Sequence, residues 1–128
     1  MRVGATLEVA RGFAEAALSK KATDILILDL RQLTAVTDFF VVGTVSTDVH
    51  SRAVEEAVYT WAEDELDQRP WHIEGAEGAR NWVLLDYVDV VVHLFLPQAR
   101  AYYSLERLWG DAPAEEVGDP DGGNDAVA

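Results

Sequence analysis

Two short unbroken apolar runs, Ile25-Leu26-Ile27-Leu28 and Phe39-Phe40-Val41-Val42, constrain this chain most, because neither offers a polar face to water. Runs of this length read as strands covered on both faces, and covering both faces of a sheet requires helices. The sequence supplies them. Leu7, Ala10, Ala14, Ala17 and Leu18 recur at helical spacing, which predicts an amphipathic helix over 4–20 closed by Lys20 and Lys21. A second helix starts after Ser46 or Thr47, either of which can cap it, and carries Val54, Ala57, Val58, Trp61 and Leu66 as its apolar stripe. Its Glu55, Glu56, Glu63, Asp64 and Asp67 read as a solvated face.

Beyond Pro70, residues 71–73 suit a short edge strand, and 82–85 and 88–96 suit an antiparallel hairpin turning at Asp86-Tyr87 without a glycine. Residues 98–109 predict a last helix with Tyr102, Leu105 and Trp109 on one face and Arg100, Tyr103 and Arg107 on the other. This order of elements predicts a single α/β layered domain over residues 1–109, with a mixed sheet of about five strands flanked by helices.

A hydrophobic content of 49% in 128 residues supports one core and no second domain. The balance of 10 bases to 23 acids, a net charge of -13, repels phosphate backbones and anionic lipid, so direct nucleic-acid recognition and membrane-surface binding are disfavoured. Residues 110–128 contain acids, glycine and proline but few large apolar groups, and are expected to be a disordered acidic tail. The chain lacks cysteine, so disulfides and thiolate metal sites are excluded. No apolar run approaches the roughly 18 residues of a membrane span, and a cytoplasmic location is expected.

Catalytic chemistry finds little support in the pattern. His50, His72 and His93 share no metal-ligand spacing, and His93, inside an apolar strand, reads as a core histidine with a satisfied hydrogen bond. Asp29 and Asp38 lie at strand ends where a divalent ion could be held, but they fit better as acceptors for turn or helix-end amides. The glycine-serine turn and the paired acids on one strand that nucleotidyl transfer requires are missing, as are a Walker loop and a Gly-x-Ser-x-Gly turn. Binding is the better supported class, because four tryptophans and four tyrosines are a rich supply of the residues enriched at interface hot spots. Trp61 fits the core stripe, whereas Trp82 and Tyr103 are placed to present rings to a partner.

Read in order, Asp29, Val36-Thr37-Asp38-Phe39, Gly43, Ser51-Arg52-Ala53, Glu74-Gly75, Trp82, Asp86, Asp89-Val90-Val91-Val92-His93, Phe95, Arg100, Tyr103, Leu105-Glu106 and Leu108-Trp109 carry a family resemblance over residues 5–109. The sequence resembles the ribosomal silencing factors, the RsfS or Iojap-like proteins. That resemblance implies a nucleotidyltransferase-like topology without the active site, no cofactor and no enzymatic activity. It implies docking on ribosomal protein L-fourteen of the large ribosomal subunit and obstruction of small-subunit joining, which represses translation when nutrients are short. Large-subunit assembly is the alternative role, and a nucleotide-binding or nucleotidyl-transferring enzyme the more distant one.

By matching positions, Trp82, Tyr103 and Glu74 are the leading partner contacts, followed by Asp38, Asp86, His93 and Leu105. An apolar docking face also favours a homodimer of the free protein. Two positions depart from the family pattern: Val88 stands where glycine is common in the hairpin, and Gly43-Thr44-Val45 replaces a glycine-threonine-glycine-like segment.

Overall fold

A computed structural model describes residues 5–118. Its elements follow the chain as α1 (Leu7–Leu18), β1 (Thr23–Asp29), β2 (Phe39–Thr44), α2 (Asp48–Leu66), β3 (His72–Glu74), β4 (Trp82–Asp86), β5 (Val90–Phe95), α3 (Pro97–Tyr103), α4 (Leu105–Leu108) and β6 (Ala114–Val117). They build a six-stranded sheet in the order β3-β4-β5-β2-β1-β6. Only β2 and β5 pair in parallel among these strands, and the remaining neighbours are antiparallel, so the sheet is mixed.

Local chemistry explains the helix positions. Thr6 Oγ1 accepts from the Val9 amide at 3.2 Å and Thr47 Oγ1 from the His50 amide at 3.0 Å, each satisfying an N-terminal donor that the helix itself leaves free. Asp67 closes α2 in the left-handed conformation. Both helices lie on one sheet face, where Phe13, Ala14, Ala17, Val54 and Val58 bury against Ile25, Ile27, Phe39, Val41, Val92 and Leu94. Gly12 lets the helices approach: a Cβ there would fall 2.0 Å from the Trp61 ring, which packs edge-on to Phe13 at 4.9 Å. A second, smaller core lies on the opposite face, where Leu28, Leu30, Val42 and Phe95 meet Ala99, Leu105 and Ala112. The alternation of side chains along β2 and β5 sends successive residues to the two cores, which is why both strands are predominantly apolar and almost wholly buried.

The structure corrects the sequence reading in four places. The sheet has six strands rather than about five, and the sixth lies in the segment expected to be a disordered tail: Ala114–Val117 pairs antiparallel with β1. Backbone hydrogen bonding to an open strand edge supplies the pairing, and Arg11 fixes it with a two-pronged ion pair to Glu115 at 2.7 and 2.8 Å. The rest of the expected tail, 119–128, lies outside the described residues.

The last helix is broken at Ser104, which takes a left-handed conformation (φ 46°, ψ 57°) and starts α4 in a new direction. The edge strand begins at His72, leaving Trp71 exposed. Finally, Glu55 does not belong to a solvated face. Its carboxylate receives the buried Arg80 guanidinium and the Tyr59 hydroxyl, while Arg80 Nε donates to Ser51 Oγ at 3.2 Å. A buried arginine requires such partners, and this set clamps the chain before β4 to α2.

Candidate partner-binding surface

β4 and β5 pair with Trp82 opposite Phe95, Leu84 opposite His93 and Asp86 opposite Val91. Residues directly opposite share a face, so these three rows continue onto β2 as Thr44, Val42 and Phe40. This is the face that α3 and α4 cover. Trp82 stacks on Phe95 with ring centroids 4.8 Å apart, and Tyr103 from the end of α3 lies 4.7 Å from Trp82. Tyr102 stands perpendicular to Tyr103 at 5.0 Å. Tyr102 is 81% exposed, Tyr103 49% and Leu108 75%, so the assembly presents an aromatic and aliphatic surface to solvent.

The helix break produces this exposure. A continuous helix would place Tyr102 on the core side with Leu105 and Trp109. The left-handed Ser104 changes the phase, so Leu105 keeps to the core while Tyr102 faces outward. Arg100 holds the corner, donating from Nε to Glu106 Oε2 at 3.1 Å and from its terminal guanidinium nitrogen to Thr44 Oγ1 at 2.8 Å. It is thereby tied to β2 and α4 instead of lying on an exposed charged face.

His93 is the centre of the second row and is only 3% exposed. Its Nδ1 accepts from Trp82 Nε1–H at 3.0 Å, and the Phe40 ring packs edge-on to it at 4.4 Å. Burial lowers its pKa to about 3, so the ring is neutral at physiological pH. An acceptor lone pair on Nδ1 puts the ring proton on Nε2.

Glu74 occupies β3 opposite Leu84, one strand outward along the row of His93, and its carboxylate meets His72 Nε2 at 2.9 Å. Gly75 next to it has φ 77°, and a Cβ there would lie 1.9 Å from the Trp82 carbonyl oxygen. Glycine is therefore required for the chain to fold back against the start of β4.

The structure brings Trp82, His93 and Tyr103 together and sets Glu74 on the neighbouring strand. It does not gather the other sequence-selected residues with them. Asp86 ends β4, about 13 Å from Trp82 at strand rise, and accepts the Val88 amide at 2.7 Å. Asp38 precedes β2 and accepts the Ala5 amide at 2.9 Å. Leu105, 7% exposed, belongs to the core beneath the surface rather than to the surface. The exposure of Tyr102 and Leu108 is not legible in the helical spacing, which the break at Ser104 interrupts.

Groups with possible catalytic use have other partners. Asp29 accepts from the Arg31 guanidinium at 2.9 and 2.7 Å, which holds its carboxyl below the usual range. His50 binds the Ser46 amide at 2.9 Å and the Lys20 carbonyl at 2.7 Å, tying α2 to the end of α1. Among the described residues there is no cluster of three or more His, Cys, Asp or Glu placed for a metal ion, and no helix is long and apolar enough to cross a membrane.

With this geometry in hand, similarity to known proteins becomes specific. Residues 4–127 match the family model described as ribosomal silencing factor during starvation. The chain belongs to the ribosomal silencing factor family. It is 40% identical over 104 residues to the ribosomal silencing factor RsfS of Bacillus subtilis, covering 81% of this chain and 86% of that protein. It is also 33% identical over 92 residues to the mouse protein named mitochondrial assembly of ribosomal large subunit protein 1, covering 70% of this chain and 40% of the mouse protein. A crystal structure of a Chromobacterium violaceum protein superposes with a TM-score of 0.75 at 34% identity, covering 86% of this chain and 88% of that one. The α/β fold with helices on both sheet faces is thus that of the silencing factor family.

Proposed function

We propose that this protein is a non-enzymatic, cytoplasmic translation repressor that docks on the large ribosomal subunit through ribosomal protein L-fourteen and blocks joining of the small subunit. The observation that carries this reading is the ring cluster of half-buried Trp82 with exposed Tyr103 and Tyr102, held on the sheet by Phe95 and by the Arg100 corner. Aromatic groups on a rigid support are effective anchors because little side-chain entropy remains to be lost on binding. Family membership and the large-subunit name of the mouse relative support the choice of partner. A net charge of -13 favours encounter with a basic ribosomal protein over exposed RNA.

Trp82 and Tyr103 act as apolar anchors and Glu74 meets a basic group at the rim. Obstruction needs occupancy and bulk, not chemistry, and a standard interface of about 1,200 to 2,000 Å² fits a domain of this size. Sedimentation of mixed ribosomal subunits tests the reading. Added protein is expected to shift material from joined ribosomes to free subunits, and an unaltered profile at saturating protein would refute subunit blocking.

The mouse relative's name favours a second reading, assembly of the large subunit through the same contact. That role predicts precursor particles accumulating during growth when the gene is deleted, whereas silencing predicts a defect confined to nutrient limitation.

A further inference from the structure

We propose that His93 is a positioning residue of the docking surface: through its Nδ1 lone pair it fixes the orientation of the Trp82 indole that the partner meets. The inference rests on the docking reading above and adds a residue that acts from beneath the surface instead of touching the partner. His93 is 3% exposed and is flanked in register by Leu84 and Val42, so a docking protein does not reach it without opening the sheet face.

Stacking alone does not orient Trp82. Phe95 below and Tyr103 beside it, at 4.8 and 4.7 Å, set the plane of the indole, but an indole turned over within that plane would keep much of the same apolar contact. The bond from Nε1–H to His93 Nδ1 at 3.0 Å is directional and distinguishes the two arrangements. Turning the ring over would remove Nε1–H from its acceptor and present a different edge to the partner.

The other half of the imidazole strengthens the case. Nε2 is buried and has no hydrogen-bond partner among the described residues. A polar nitrogen buried without a partner is costly, and a leucine of similar size would fill the same space between Leu84, Val42 and Phe40 without that cost. Core stability therefore does not account for a histidine here. The acceptor that it offers to Trp82 does.

The experiment compares the native protein with His93→Leu, which keeps bulk and removes the acceptor, and His93→Asn, which returns an oxygen near the Nδ1 position. Nuclear magnetic resonance reads the imidazole tautomer and the Trp82 indole N–H signal, the latter assigned by its loss in Trp82→Phe. Co-sedimentation with isolated large subunits reads affinity, and thermal unfolding reads stability.

The expected results are a proton on Nε2, and in His93→Leu a displaced, faster-exchanging indole signal. Large-subunit affinity should fall about five- to tenfold in that variant without a lower unfolding midpoint, and His93→Asn should restore most of the signal and affinity. A proton on Nδ1, or an indole signal unmoved by His93→Leu, would overturn the assignment. So would an affinity loss that merely follows a loss of stability. If the native protein does not bind large subunits, the docking reading fails and the affinity consequence with it, while the tautomer and indole signal still decide whether His93 holds Trp82.

Discussion

Burial of the His93 imidazole makes one residue a determinant of how stability responds to acid. In the folded protein its pKa is lowered to about 3, against about 6.5 for histidine in an unfolded chain. Above pH ~6.5 both states leave the ring neutral. Below it, the unfolded state takes up a proton that the folded state refuses, so stability declines by up to about 1.4 kcal/mol per pH unit until the folded ring titrates near 3. The Asp29 carboxyl, held low by Arg31, is lost as a stabilising group only at more acidic pH, where unfolded carboxylates begin to protonate.

Between pH ~6.5 and ~4.5 the His93 effect is therefore present while that of Asp29 is not, and His93→Leu separates it from other groups. Denaturant unfolding at about pH 7 and about pH 5 should show a loss of roughly 2 kcal/mol in the native protein that is absent from the change measured for His93→Leu. Equal pH responses would contradict a buried neutral ring. The core position of His93 was legible from the apolar run around it. Its bond to Trp82 was not, because cross-strand partners depend on register. Val88 carries a related lesson: the hairpin forms without glycine by placing a β-branched residue at φ 74°, a strain on the order of 1 kcal/mol.

At the scale of elements, the apolar runs and helical spacings identified α1, α2 and the strands of the sheet interior, because those elements are held by patterned burial. β6 has no such pattern. Its Ala-Glu-Glu-Val sequence gains order from the free edge of β1 and from Arg11, neither of which is adjacent in the chain. The break between α3 and α4 was equally hidden, since Ser104 stands where glycine or asparagine would ordinarily announce a left-handed turn.

Truncation after residue 109 tests the importance of the sixth strand. Removing it strips the β1 edge, the Arg11–Glu115 pair and buried Ala112, and should cost on the order of 2 kcal/mol. The check is a lower unfolding midpoint together with faster amide exchange along β1. A midpoint and exchange pattern matching the full chain would show that β6 contributes nothing to the fold.

Over the whole molecule, the two sheet faces are covered differently. One face is closed by α1 and α2 over the larger core, and the other carries a smaller core covered by α3 and α4, with Tyr103 at the end of α3 beside Trp82. The order of elements along the chain and a role for Trp82 and Tyr103 in binding could be argued from residue pattern and family resemblance, but the order of strands in the sheet could not. The convergence of Trp82, Tyr103 and His93, and the removal of Leu105 and Asp38 from that cluster, required the three-dimensional register.

The proposed docking function places the contact on this aromatic surface. The most direct measurement is a binding titration of isolated large ribosomal subunits, and in parallel of ribosomal protein L-fourteen, with the native protein and with Trp82→Ala shown to be folded by circular dichroism. Saturable native binding to both is expected, with a loss of about thirtyfold or more in the variant, as for truncation of a hot-spot anchor. Equal affinity of the two proteins would contradict the assigned surface, and no binding by the native protein would contradict the docking function itself.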